Sequence, residues 1–112
     1  MHTVNENTLI INSRNIKFGF DIRCTIEYKK YVLVLLSIPF TKSDINNIYC
    51  VNEFGELVWQ VEDLNLLYPN LKNLPYEQMG IKDGILYASD FYGRSYSIDL
   101  DTGKIKECNI VK

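Results

Sequence analysis

A chain of 112 residues, 46% hydrophobic and 12% aromatic, suits one domain that buries a core with little stability to spare. A net charge of −2 argues against a nucleic-acid binder, which would carry a basic excess. The longest apolar run, Tyr31 to Leu36, falls far short of the roughly 20 residues of a membrane span, and Met1 to Glu6 does not read as a secretory leader.

The chain reads as strand and turn almost throughout. Thr8 to Ile11 predicts a first strand, ended by Asn12 to Asn15. Ile16 to Phe20 and Ile22 to Tyr28 both alternate, either as one strand bent at Gly19 or as two. Ile22, Cys24, Ile26 and Tyr28 share one face, and Arg23, Thr25 and Glu27 take the other, expected to meet water. After a turn at Lys29-Lys30, Tyr31 to Ile38 is apolar on both faces and stops before Pro39, which predicts a central strand covered on both sides. Thr41 to Asp44 is loop.

Ile48 to Val51 and Glu56 to Val61 form a hairpin around Asn52 to Gly55. Leu64, Leu67 and Leu71 predict a short helix between Glu62 and Leu71, limited by Pro69 and Pro75. Glu77 to Gly80 leads into strand Ile85 to Ser89, turn Asp90 to Gly93, strand Arg94 to Ile98, turn Asp99 to Gly103, and a last strand from Lys104 to Val111. The reading is a single all-β domain over residues 1–112, mostly antiparallel, with at most one short helix.

Tyr49-Cys50-Val51-Asn52 before Gly55-Glu56-Leu57 is echoed by Tyr96-Ser97-Ile98-Asp99 before Gly103-Lys104-Ile105, with the two glycines 48 positions apart. Propeller blades recur at about 40–50 residues, and a closed propeller takes at least about four. The expectation is therefore a partial, open propeller-like arrangement, or two stacked sheets.

Candidate chemistry is sparse. His2 is the single histidine and lies at an end expected to fray, which removes histidine general bases, Ser-His triads and most zinc sites. Asp99 to Gly103 lacks the glutamate of a calcium loop and reads as a hairpin turn. Cys24, Cys50 and Cys108 are odd in number and dispersed, so they read as free thiols of a cytosolic protein, and Cys50 as a buried strand thiol rather than a nucleophile. No enzyme activity, metal or cofactor is expected.

Charge is laid out unevenly. Residues 43–101 hold ten acids against three bases, while the flanking segments are net positive. An acidic, aromatic-rich surface would steer a basic protein partner, with aromatic side chains as anchors. The candidate partner-binding residues are Glu53, Glu56, Glu62, Asp63, Asp90, Phe91, Tyr92, Asp99 and Asp101.

Trp59-Gln60-Val61, Asp90-Phe91-Tyr92-Gly93-Arg94-Ser95-Tyr96 and Asp99-Leu100-Asp101-Thr102-Gly103-Lys104-Ile105 resemble the C-terminal halves of small bacterial immunity proteins of contact-dependent growth inhibition and related polymorphic toxin systems. The resemblance covers roughly residues 48–112 and rests on turn and strand patterns. It implies a cytoplasmic antidote that binds a toxin domain, often a nuclease, and blocks its active site. An acidic surface fits such a partner, because ribonuclease sites are basic to hold phosphate. Two other classes stay open: a blade-like module that assembles with copies of itself or binds another protein, and a small-ligand binder with a pocket between sheets.

Overall fold

A computed structural model describes residues 2–39 and 41–110. Among the described residues, eleven strands lie in three antiparallel sheets, each running up and down in chain order. The first sheet holds β1 (His2–Asn5), β2 (Thr8–Ile11) and β3 (Arg14–Lys17). The middle sheet holds β4 (Ile22–Tyr28), β5 (Tyr31–Leu36), β6 (Ile48–Asn52) and β7 (Leu57–Gln60). The last holds β8 (Tyr76–Lys82), β9 (Ile85–Asp90), β10 (Arg94–Ile98) and β11 (Ile105–Ile110). One short helix, α1 (Leu64–Leu67), lies between β7 and β8.

Register explains how the sheets stack, because residues paired across antiparallel strands point to the same face. In the last sheet, Met79, Ala88, Tyr96 and Cys108 form one row, and Ile81, Leu86, Ile98 and Ile105 the next. Both rows pack on Leu33, Leu35, Ile48, Cys50 and Trp59 of the middle sheet. The opposite face of that sheet, with Val32, Val34 and Val51, packs on Leu9, Ile11 and Ile16 of the first sheet. The middle sheet is thus covered on both faces, and the arrangement is that of successive propeller blades. Three sheets replace the alternative of two.

Several local expectations change. The two alternating segments around Gly19 are separate strands in different sheets. His2 is not frayed: it begins β1, its Nε2 lies 2.7 Å from Thr25 Oγ1, and its Nδ1 lies 3.5 Å from Glu27. The Thr25–Glu27 face therefore meets β1 rather than water alone. A register shift between Ile22 and Cys24 turns Ile22 away from Cys24 and Ile26, into the cluster shared with the first sheet. Glu77 to Gly80 belongs to a full strand, and the helix covers one turn of the expected span. Val111 lies outside the described residues.

The echoed hairpins take equivalent places, as the third and fourth strands of successive sheets. Each turns at a glycine with positive φ: Gly55 at 79° and Gly103 at 75°. A Cβ on Gly55 would lie 3.1 Å from Arg14 Cβ of the first sheet, and one on Gly103 only 2.5 Å from Trp59 of the middle sheet. Gly103→Ala is expected to lower stability by more than about 1 kcal/mol, through both conformation and contact. Gly80→Ala, with nothing within 4 Å of the added carbon, should stay within about 0.5 kcal/mol of the parent. Urea denaturation midpoints of the two variants check this; equal midpoints would contradict it.

Candidate partner-binding surface

β7 is an edge strand, and two turns flank it. The first, between β6 and β7, is closed by Asn52, whose Oδ1 accepts from the N–H of Phe54 and of Glu56, both at 2.9 Å. The second, between β10 and β11, is closed the same way by Asp99, which accepts from Asp101 N at 2.8 Å and Thr102 N at 3.2 Å. Short polar side chains that fold onto their own backbone favour such turns.

The second turn is fastened onto β7. Trp59 Nε1 donates to Leu100 O at 2.9 Å, Glu62 N donates to Gly103 O at 3.0 Å, and Ile105 N donates to Glu62 Oε1 at 2.9 Å. Asp63 follows and caps α1, accepting from Asn65 N and from Asn46 Nδ2, both at 3.0 Å. Glu53, Glu56, Glu62, Asp63, Asp99 and Asp101 therefore line one rim along a four-residue strand about 13 Å long. Among the described residues none of these six carboxylates is ion-paired; the ion pairs there join His2 to Glu27, Arg23 to Glu77 and Arg94 to Asp90. Lys104 stands at the foot of the second turn and Arg14 beneath the first.

The other three predicted residues lie elsewhere. Asp90 is 5% exposed, and its Oδ1 accepts from Arg94 N at 3.0 Å. As the last residue of β9 it follows the inward parity of Leu86 and Ala88, so it closes a turn inside the fold and presents no charge to a partner. Phe91 and Tyr92 are exposed, with the Arg94 guanidinium 5.7 Å from the Tyr92 ring. The five residues of β10 separate their turn from Asp99 by about 17 Å.

The rim has its own apolar centre in Phe54, Leu57 and Val58, which are 59%, 58% and 42% exposed. Alternation alone would bury one of Leu57 and Val58. A register shift in β6–β7 between Cys50 and Val51 leaves both outside. In the sequence Phe54 is a turn residue beside Glu53, as Phe91 and Tyr92 are beside Asp90, and residue type alone does not separate the two turns.

The buried Cys50 thiol and Tyr96 hydroxyl are held in their protonated forms. Burial pushes the Cys50 thiol up to about 11, and Cys50 is 1% exposed. Burial also pushes the Tyr96 hydroxyl up to about 12, beside Tyr76 at a ring distance of 5.4 Å. All three cysteines are free. At pH 8 the native protein should therefore show Cys50 as a slow-reacting thiol, since the thiolate is the reactive form, and all three should react after denaturation. As pH rises past the unfolded thiol's value towards 11, the buried thiol's contribution to stability should be lost. Three equally fast thiols in the native state would contradict this.

A family model described as "Domain of unknown function (DUF7957)" matches residues 1–110. None of the curated proteins compared matches the sequence. Among solved structures, 13 chains match. One is the crystal structure of the computationally designed Ika8 protein, with a TM-score of 0.65 at 8% identity. The match covers 99% of this chain and 36% of that one, so the likeness is of fold alone, over about a third of the designed protein's length.

Proposed function

The chain belongs to the DUF7957 family, a domain of unknown function, and we propose that it acts in the cytoplasm as an immunity protein that binds a basic toxin domain, such as a nuclease, through the β7 rim. The observation that carries this reading is the run of six carboxylates, none ion-paired among the described residues, around the exposed Phe54, Leu57 and Val58. Apolar and aromatic groups at the centre with charge at the edge is the anatomy of a protein interface. Seated in a nuclease cleft, the rim would take the place of the phosphate backbone, so inhibition needs no chemistry from this chain.

The alternative of self-assembly by stacking sheets is less well supported. The outward face of the last sheet carries Gln78, Ser89, Ser95 and Asn109 in one row and Gly80, Tyr87, Ser97 and Glu107 in the next. That of the first sheet carries Thr3, Ile10 and Asn15, then Asn5, Thr8 and Lys17. Such rows offer little apolar area to another sheet.

Glu53 and Asp101 make no side-chain hydrogen bond among the described residues, so reversing them leaves the turns intact. The double variant Glu53→Lys with Asp101→Lys should slow association with the proposed basic toxin domain, sought first in the adjacent genes, by about tenfold and change dissociation less. Added salt should slow the parent in the same way, since screening shortens electrostatic reach to about 8 Å at physiological strength. Stopped-flow association rates unaffected by both would overturn the proposal.

A further inference from the structure

Ile38 and residues 43–47, between β5 and β6, border a cleft of about 310 Å³ against the middle sheet. That volume is at the small end of ligand sites. Phe20, Leu36, Ile38 and the ring of Tyr49 supply apolar lining; Asp44 and Gln60 supply polar lining. Phe18 packs against Tyr49 in a tilted arrangement, with ring centroids 5.2 Å apart and planes inclined by 53°.

The polar groups are not equivalent. Gln60 Nε2 donates to Asn46 O at 2.8 Å and to Tyr49 Oη at 3.1 Å. Asn47 Nδ2 donates to Leu36 O at 2.7 Å and Tyr76 O at 2.9 Å. Both amides have spent their N–H groups inside the protein. Asp44 is exposed, and its carboxylate has no hydrogen bond or ion pair among the described residues. Asp44 and Tyr49 line the same cleft, and after burial the Asp44 charge is the second influence that raises the Tyr49 hydroxyl. Tyr49 Oη accepts from Gln60 and keeps its own proton. The exposed lining is mostly polar, with Ser43, Asn46 and Asn47 beside Asp44 and Gln60. It offers one unspent anion next to an apolar strip of Phe20, Leu36, Ile38 and Tyr49, a pairing that suits a cation with an aliphatic stem.

Gln60 belongs to β7, and Asn46 donates to Asp63, so the cleft adjoins the acidic rim. We propose that it seats a lysine or arginine side chain of the basic partner, with the stem along Phe20, Leu36, Ile38 and Tyr49 and the cationic head at Asp44. This rests on the rim reading and assigns it an anchoring pocket. Long basic side chains bury their stems on apolar surface while the head keeps a polar partner, and a cation gains further from an aromatic face.

The test uses small probes and the whole chain. Isotope-labelled protein is titrated with Nα-acetyl-lysine amide, Nα-acetyl-arginine amide and the uncharged Nα-acetyl-norleucine amide, following backbone amide resonances. Saturable shifts are expected at Asn46, Asn47, Tyr49 and Gln60 with the cations and not with norleucine amide; the tighter cation identifies the side chain. Asp44→Asn should weaken binding about fivefold, as for an exposed ion pair. Tyr49→Phe, which keeps the ring and loses the hydroxyl, should weaken it less. Unmoved cleft resonances, equal binding of norleucine amide, or full affinity in Asp44→Asn would each overturn the proposal. No toxin enters this experiment, so its failure leaves the rim reading standing, and failure of the rim reading leaves the cleft result intact.

Discussion

β5 is buried on both faces, and the sheets on either side are placed by that fact. Leu33 and Leu35 point towards the last sheet, Val32, Val34 and Leu36 towards the first. Full burial of such side chains is worth about 1.5–3 kcal/mol each, and neither neighbouring sheet alone could provide it for both faces. Asn47 ties the same strand to the next sheet: its amide donates to Leu36 O and Tyr76 O, and its Oδ1 accepts from Tyr76 N at 2.9 Å. A buried amide with three satisfied bonds fixes where β8 begins relative to β5.

With stacking fixed, the outer hairpins repeat one solution. Each turn is closed by an Asx side chain, carries a glycine with positive φ, and sets that glycine against the sheet before it. The consequence for the surface is direct. Seating the second turn on Trp59 and Glu62 moves Asp99 and Asp101 beside β7, where Glu53 and Glu56 already stand at the first turn. The acidic rim follows from the packing rule of the repeat rather than from any single motif.

Much of this was legible in the residues. Two-sided hydrophobicity from Tyr31 announced the central strand, and the 48-residue echo marked hairpins that do occupy equivalent places. What escaped was decided by tertiary pairing. β8 interrupts its apolar pattern with Glu77, Gln78 and Gly80, because its outward face is polar and Glu77 is held by Arg23 at 3.4 Å. β1 is short and polar and is held by His2 on Thr25 and Glu27. Asp90 looked like a surface acid because turn chemistry and exposed charge use the same residue type; only the parity of β9 tells them apart. Register shifts in β4–β5 and β6–β7 likewise have no signature in alternation.

Two exposed surfaces compete as the docking face. The rim of residues 52–63 and 99–104 carries acids without ion pairs among the described residues around Phe54, Leu57 and Val58, whereas the Phe91–Tyr92 turn sits at the other end of β10 over a buried Asp90. Hydrogen exchange on the chain alone and in the presence of the basic toxin domain proposed as its partner distinguishes them most directly. The account predicts that protection gained on binding falls on residues 52–63 and 99–104. Protection confined to residues 90–94, or to the outward rows of the last sheet, would contradict it.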